Sequence, residues 1–159
     1  MIILGIDPGT RITGYGIIDK HERGIGHIAH GEIKNSKGIL LSSRLKKIFD
    51  SLTEVIQEYR PNVVAIEDIF YGKNIKSLIK QGHARGAAIL VAPINNLPVH
   101  EYSPLEIKQA VVGYGRAEKR QVQHMVKAIL CLPDLPPPDA ADALAAAICH
   151  ANFLKTETF

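Results

Sequence analysis

The chain opens with Met1-Ile2-Ile3-Leu4-Gly5-Ile6-Asp7-Pro8-Gly9-Thr10, an unbroken apolar run that stops on a carboxylate. A run this short, rich in β-branched residues and closed by a Pro-Gly turn, reads as a strand buried on both faces of a sheet. Asp7 therefore stands where a central strand ends. In open α/β sheets the crevice beyond the carboxyl ends of the strands holds ligands, which makes Asp7 a candidate site residue. Its competing role is an Asx turn that holds the Pro8-Gly9 corner.

Residues 12–18 read as a second strand returning from the first as a hairpin, and residues 26–33 as a third, at an edge. Next comes an amphipathic helix with Ser42 or Ser43 as its expected N-cap, carrying Leu45, Ile48, Phe49, Leu52, Val55, Ile56 and Tyr59 at intervals of three and four. Pro61 closes it, and Val63-Val64-Ala65-Ile66 repeats the opening theme: an apolar strand that ends on an acid, Glu67. A helix from about Lys73 to Val91, a short strand over 98–102 and helices over 104–112 and 117–130 follow. The chain closes on Pro136-Pro137-Pro138 and an alanine-rich helix, suited to tight docking on a sheet. This order predicts one α/β domain over residues 1–159, with a five-stranded mixed sheet, its first three strands antiparallel, and helices on both faces.

Asp139 and Asp142, three residues apart, share one face of the last helix's first turn. They can serve as an N-cap and a variant capping box, or as ligands. If the first and fourth strands are neighbours, Asp7 and Glu67 lie close together, and adjacent carboxylates either protonate or hold a cation. An all-oxygen cluster suits Mg²⁺ or Mn²⁺, and two such ions make phosphodiester hydrolysis the natural chemistry.

Three segments, residues 5–11 around Asp7, 65–70 around Glu67 and 139–145 around Asp139 and Asp142, closely resemble the acidic motifs of the RuvC family of bacterial Holliday junction resolvases. Residues 109–113 and 117–126 resemble its later segments, so the match runs in order to about residue 150. The resemblance implies an RNase H-like fold, a homodimer and paired, Mg²⁺-dependent incision of four-way junction DNA in recombination and repair. It implies 5′-phosphate and 3′-hydroxyl ends, two ions per site with substrate bound, Mn²⁺ as a substitute, and RuvA and RuvB as branch-migration partners. It places Asp7, Glu67, Asp139 and Asp142 in the metal-binding catalytic set, Lys108 and Lys119 near the scissile phosphate, and Phe70 in a loop beside the junction centre. Asp68 departs from the pattern, and strand alternation is expected to turn it away from the site.

Lys73, Lys76 and Lys80, at i, i+3 and i+7, are expected to form a phosphate-contacting face, with a solvated stripe as the plainer reading. Arg116, Lys119 and Arg120 form a second basic cluster beside a glycine-rich loop. Phe70 and Tyr71 can stack on a base or wedge at the crossover, or pack in the core. None of the seven histidines is assigned to metal: His27 and His30 are expected on opposite sides of their strand, while His83 or His124 can touch phosphate. Arg85 reads as a buried or interface hydrogen-bonding group. The small-residue stretch from Gly82 to Ala88 is the candidate dimer face.

Nineteen Lys and Arg against sixteen Asp and Glu leave a net charge of +3, and sequestering four acids around metal makes the remaining surface more basic, as a polyanionic partner requires. Cys131 and Cys149 lack metal-ligand spacing and read as reduced core residues of a cytoplasmic protein. No membrane span or targeting segment is expected. Two other classes compete. A nucleotide phosphohydrolase of the actin and Hsp70 type shares the Asp-x-Gly-Thr turn but needs two such lobes, and a non-catalytic junction-binding module would have lost an acid.

Overall fold

The structure is a computed structural model, which describes residues 1–69 and 74–156. Phe70, Tyr71 and Lys73 lie outside the described residues.

In chain order the elements are β1 (Ile2–Asp7), β2 (Ile12–His21), β3 (Gly24–Lys34), α1 (Leu41–Tyr59), β4 (Val63–Glu67), α2 (Ile75–Ile94), β5 (Val99–Tyr102), α3 (Pro104–Val112), α4 (Lys119–Ile129) and α5 (Pro138–Thr156). They form one five-stranded sheet in the order β3-β2-β1-β4-β5. The first three strands are antiparallel, and β1-β4 and β4-β5 are parallel, the expected RNase H-like arrangement.

Strand alternation divides the apolar side chains between two cores. Ile3, Ile18, Val63 and Ala65 face a layer built from α3, α4 and α5. Leu4, Ile6, Ile17, Val64 and Ile66 face α1 and α2. Continuing the same parity puts Asp7 and Glu67 on the α5 side and turns Asp68 toward α2.

The alanine-rich α5 lies against β1 and β2 at backbone distance, and glycines make this possible. A Cβ added to Gly5 would be driven into the Ala143 carbonyl, one on Gly14 into the Asp139 carbonyl, and one on Gly16 to 2.6 Å from the Leu144 side chain. From Ala140 to Ala151, every residue of α5 except Asp142 is buried.

Several local expectations are corrected. Neither Ser42 nor Ser43 caps α1, whose N-cap is Leu40 with no side-chain cap bond. Its other end matches the expected stop, with Arg60 left-handed at φ 48° just before Pro61. α2 begins at Ile75, beyond Lys73, where the Asn74 side chain accepts from Ser77 N at 3.2 Å, and it runs through Pro93 to Ile94. Cys131 is an exposed residue just past α4 with φ 51°, whereas Cys149 is buried, and both are free thiols.

His27 and His30 also depart from expectation. The β2-β3 register pairs Ile17 with Ala29 but Ile18 with His27, so Ile28 is an extra residue, a β-bulge. The bulge resets alternation and brings both imidazoles to one face, His27 Nε2 lying 2.8 Å from His30 Nδ1. Burial lowers the pKa of both rings, with His30 contributing to the shift at His27.

Candidate active site

β1 and β4 run parallel with Ile6 beside Ile66, so the next residues, Asp7 and Glu67, emerge side by side on the α5 face. The turn after Asp7 is held by a fully buried Thr13, whose hydroxyl donates to the Gly9 carbonyl at 2.8 Å and accepts from Gly9 N at 3.3 Å. Asn35 braces the same turn, its Nδ2 donating to the Thr10 carbonyl at 3.1 Å and its backbone N–H to the Arg11 carbonyl at 2.8 Å.

Because α5 starts at Pro138 and is seated on Gly14, its first turn carries Asp139 and Asp142 to the same place. Asp139 is inside the helix rather than capping it. Asp7, Glu67, Asp139 and Asp142 together line a cleft of about 690 Å³, whose opposite wall is Ser77, Lys80 and Gln81 of α2. Four acids from three distant segments thus share one space.

Lys119, at the start of α4, reaches into this space. Its Nζ is 2.9 Å from Asp142 Oδ2 and 3.7 Å from Asp139 Oδ1. Lys108 of α3 lines a smaller adjoining cavity of about 180 Å³ with Glu67, Lys119 and Asp142.

The electrostatics are those of a crowded acidic site. Burial, then the charges of Glu67, Asp142 and Asp139, holds the Asp7 carboxyl well above the usual carboxylate range, with Lys119 opposing. Glu67 is raised by burial and by Asp142, against a hydrogen bond from Asp7 and the charges of Lys119 and Lys108. Burial raises Asp142 as well, although Lys119 bonds to it. Burial would lower Lys119, but its bond to Asp142 and the surrounding acids raise it instead. The ammonium is thus the local countercharge for carboxylates that otherwise favour protonation.

Among the described residues, no three His, Cys, Asp or Glu side chains converge as a ready-made metal cage. The donor set nevertheless fits a hard divalent cation, since it offers only carboxylate oxygens with an unmet demand for positive charge.

The other candidates are distributed around the rim. Lys80 lines the cleft, whereas Lys76, Arg116 and Arg120 are exposed outside it, as are His83 and His124. Arg11, which the sequence reading did not single out, lines the cleft from the β1-β2 turn, as do Ser77 and Gln81. Its place next to the Asp7-Pro8-Gly9 corner was the available signal. Asp68 points away as expected and pairs with Arg85 at 3.2 Å.

The sheet order, with helices on both faces and acids at the ends of β1 and β4, defines a nuclease of the RNase H-like class. A family model described as Crossover junction endodeoxyribonuclease RuvC matches residues 3–150. A protein of that name from Citrifermentans bemidjiense is 57% identical over 152 residues, covering 96% of this chain and 93% of the relative. One from Geobacter sulfurreducens is 51% identical with the same coverage. The T. thermophilus RuvC structure in complex with Holliday junction substrate superposes with a TM-score of 0.91 at 34% identity, covering 99% of this chain and 97% of that one. The chain belongs to the RuvC family of crossover junction endodeoxyribonucleases. Among the described residues, no helix is long and apolar enough to cross a membrane.

Proposed function

We propose that this chain resolves four-way DNA junctions by paired phosphodiester hydrolysis, using Asp7, Glu67, Asp139 and Asp142 as the carboxylates that hold Mg²⁺, or Mn²⁺ in its place, with two ions engaged when DNA is bound. The observation that carries this reading is the delivery of four acids from β1, β4 and α5 into one cleft walled by lysines. The ions would supply a water of lowered pKa and a counter-charge for the leaving oxygen. The protein's part is to set the carboxylates, exclude bulk water from Asp7 and Glu67, and place cationic groups where charge develops on phosphorus. Lys119 and Lys108 have that last role, and a bound ion would share with Lys119 the countercharge for Asp139 and Asp142. The products are a 5′-phosphate and a 3′-hydroxyl.

Lys80 and Arg11, which both line the cleft, are positioned to meet DNA phosphate entering it, and Lys73, Lys76, Arg116 and Arg120 are proposed to extend that surface. Phe70 and Tyr71 are proposed to contact bases at the crossover. A second copy would supply the second cut. For its docking face we favour the outer stripe of α2, where Ile75, Ile79, Leu90 and Ile94 are exposed and Gly86 has open space beside it, while Ala84 and Ala88 are turned into the core. RuvA and RuvB are the expected partners.

The test is a synthetic four-way junction with Mg²⁺. The wild-type protein should run at twice the chain mass and nick two strands of like polarity, leaving linear duplex intact. Asp7→Asn should bind the junction and leave it whole, and undiminished cleavage by that variant would end the metal reading.

A further inference from the structure

Arg85 lies on the inner side of α2, with its side chain only 13% exposed. Its Nε donates to the backbone carbonyl of Glu67 at 3.2 Å. Its guanidinium also pairs with the carboxylate of Asp68, at 3.2 Å, and with that of Glu101 on β5. Both partner carboxylates are half-exposed, so neither depends on Arg85 to escape burial. The pattern is therefore poorly explained as rescue of buried acids. The Arg85 guanidinium instead gathers three groups at one point: the last residue of β4, the residue after it, and the strand on the far side.

Glu67 is where the β4 ladder ends and the backbone leaves the sheet. Its pairing with Tyr102 and the bond from Asp68 N to the Tyr102 carbonyl at 2.8 Å are the last contacts to β5. The Asp68 N–H holds one side of the Glu67–Asp68 peptide to β5, and the Arg85 bond to the Glu67 carbonyl holds the other side to α2. The planar fork of an arginine can bond a carbonyl and two carboxylates at once, which a lysine's point charge does not.

We infer that Arg85 is a positioning residue for Glu67, fixing the peptide from which the Glu67 carboxylate projects toward Asp7 and so setting the cleft's capacity to take up a divalent ion. The inference rests on the proposed nuclease reading and deepens it. It also joins two parts of the molecule that the sheet alone does not couple. Arg85 is on the same helix as Ser77, Lys80 and Gln81 of the cleft wall, so its bond to the Glu67 carbonyl ties that wall directly to the end of β4.

The test uses the full chain carrying Arg85→Gln or Arg85→Lys. Uptake of Mn²⁺, followed by the paramagnetic resonance of the free ion, is read beside metal-free junction binding and single-turnover cleavage in Mg²⁺. Groups that orient metal ligands typically change affinity or activity by about 10–100-fold. Arg85→Gln should weaken Mn²⁺ uptake and slow cleavage within that range, with junction affinity changed less than about twofold, and Arg85→Lys should recover part of both losses. If Arg85→Gln fails to fold, Asp68→Asn combined with Glu101→Gln removes both carboxylates that hold the guanidinium, leaving only its bond to the Glu67 carbonyl, and should raise the Mn²⁺ requirement by a smaller factor. Unchanged Mn²⁺ uptake in Arg85→Gln, or in the double variant where that is used, overturns the inference. So does an equal loss of junction binding and cleavage. Failure of the wild-type protein to take up Mn²⁺ or to cut a junction would instead strike the nuclease reading, and Asp7→Asn measured in parallel separates the two.

Discussion

Gly14 of β2 lies directly under the carbonyl of Asp139, so close that a single methyl group at Gly14 would occupy the oxygen's position. Backbone rests on backbone here, and the first turn of α5 can reach Asp7 for that reason. Gly14→Ala should lift this turn. Overpacking of a tight contact costs about 1–3 kcal/mol, which a urea unfolding midpoint will register. The loss of cleavage should exceed what the remaining folded fraction explains, because Asp139 and Asp142 move together. Cleavage falling only in proportion to the folded fraction would mean that the acids tolerate the shift.

Lys119 is the only cation that the structure brings within salt-bridge distance of Asp139 and Asp142 among the described residues. Lys119→Gln removes the countercharge beside Asp142 and Asp7, whose carboxyls burial already pushes toward the protonated form. Without divalent ions the variant should melt below the wild type at neutral pH, and millimolar Mg²⁺ should narrow the gap, since an ion bound only to the folded state stabilises it by mass action. Cleavage should remain impaired even at saturating Mg²⁺, because the ammonium is also missing at the phosphate. A melting difference insensitive to Mg²⁺ would show that lysine and ion do not share the same carboxylates.

His150 of α5 is buried, with its Nδ1 2.7 Å from the Tyr102 hydroxyl and its ring 4.5 Å from that of His100. Burial, and then the charge of His100, lowers its pKa to about 4 from the ordinary 6.5. Because the folded value is the lower one, the unfolded chain binds the extra proton. The stability contributed by neutral His150 is therefore complete above about pH 6.5 and is lost as the pH falls toward 4. In a series of urea titrations, His150→Gln should show a shallower decline than the wild type across this window. Parallel curves would remove His150 from the acid sensitivity.

Much of this was legible in the sequence because it depended on short-range rules. The parity that carries Asp7 and Glu67 to one face follows from two apolar strands, and the outward turn of Asp68 follows from the same alternation. The helix expected over 104–112 matches α3, whose start the structure shows closed by a Ser103 capping box. What failed depended on partners distant in sequence. The bulge at Ile28 exists only because β3 is paired with β2, so strict alternation misplaced His27 and His30. Serines beside an apolar N-terminus suggested a cap for α1, yet the helix starts without one. Gln81 carries no pattern of its own and reaches the cleft through α2, while Arg11 was marked only by its place beside the Asp7-Pro8-Gly9 corner. The strand glycines were visible, but their meaning required knowing which helix would lie on them.

The acids are supplied by β1, β4 and α5, so the order in which they leave the ribosome matters. The opening strand must wait through most of synthesis before the helix that covers one of its faces appears, and such long-separated contacts form late. Until then its apolar residues need shelter, by a chaperone or by provisional pairing with β2. The same delay means that a nascent chain holding Asp7 and Glu67 alone lacks two of the four carboxylates that line the finished cleft.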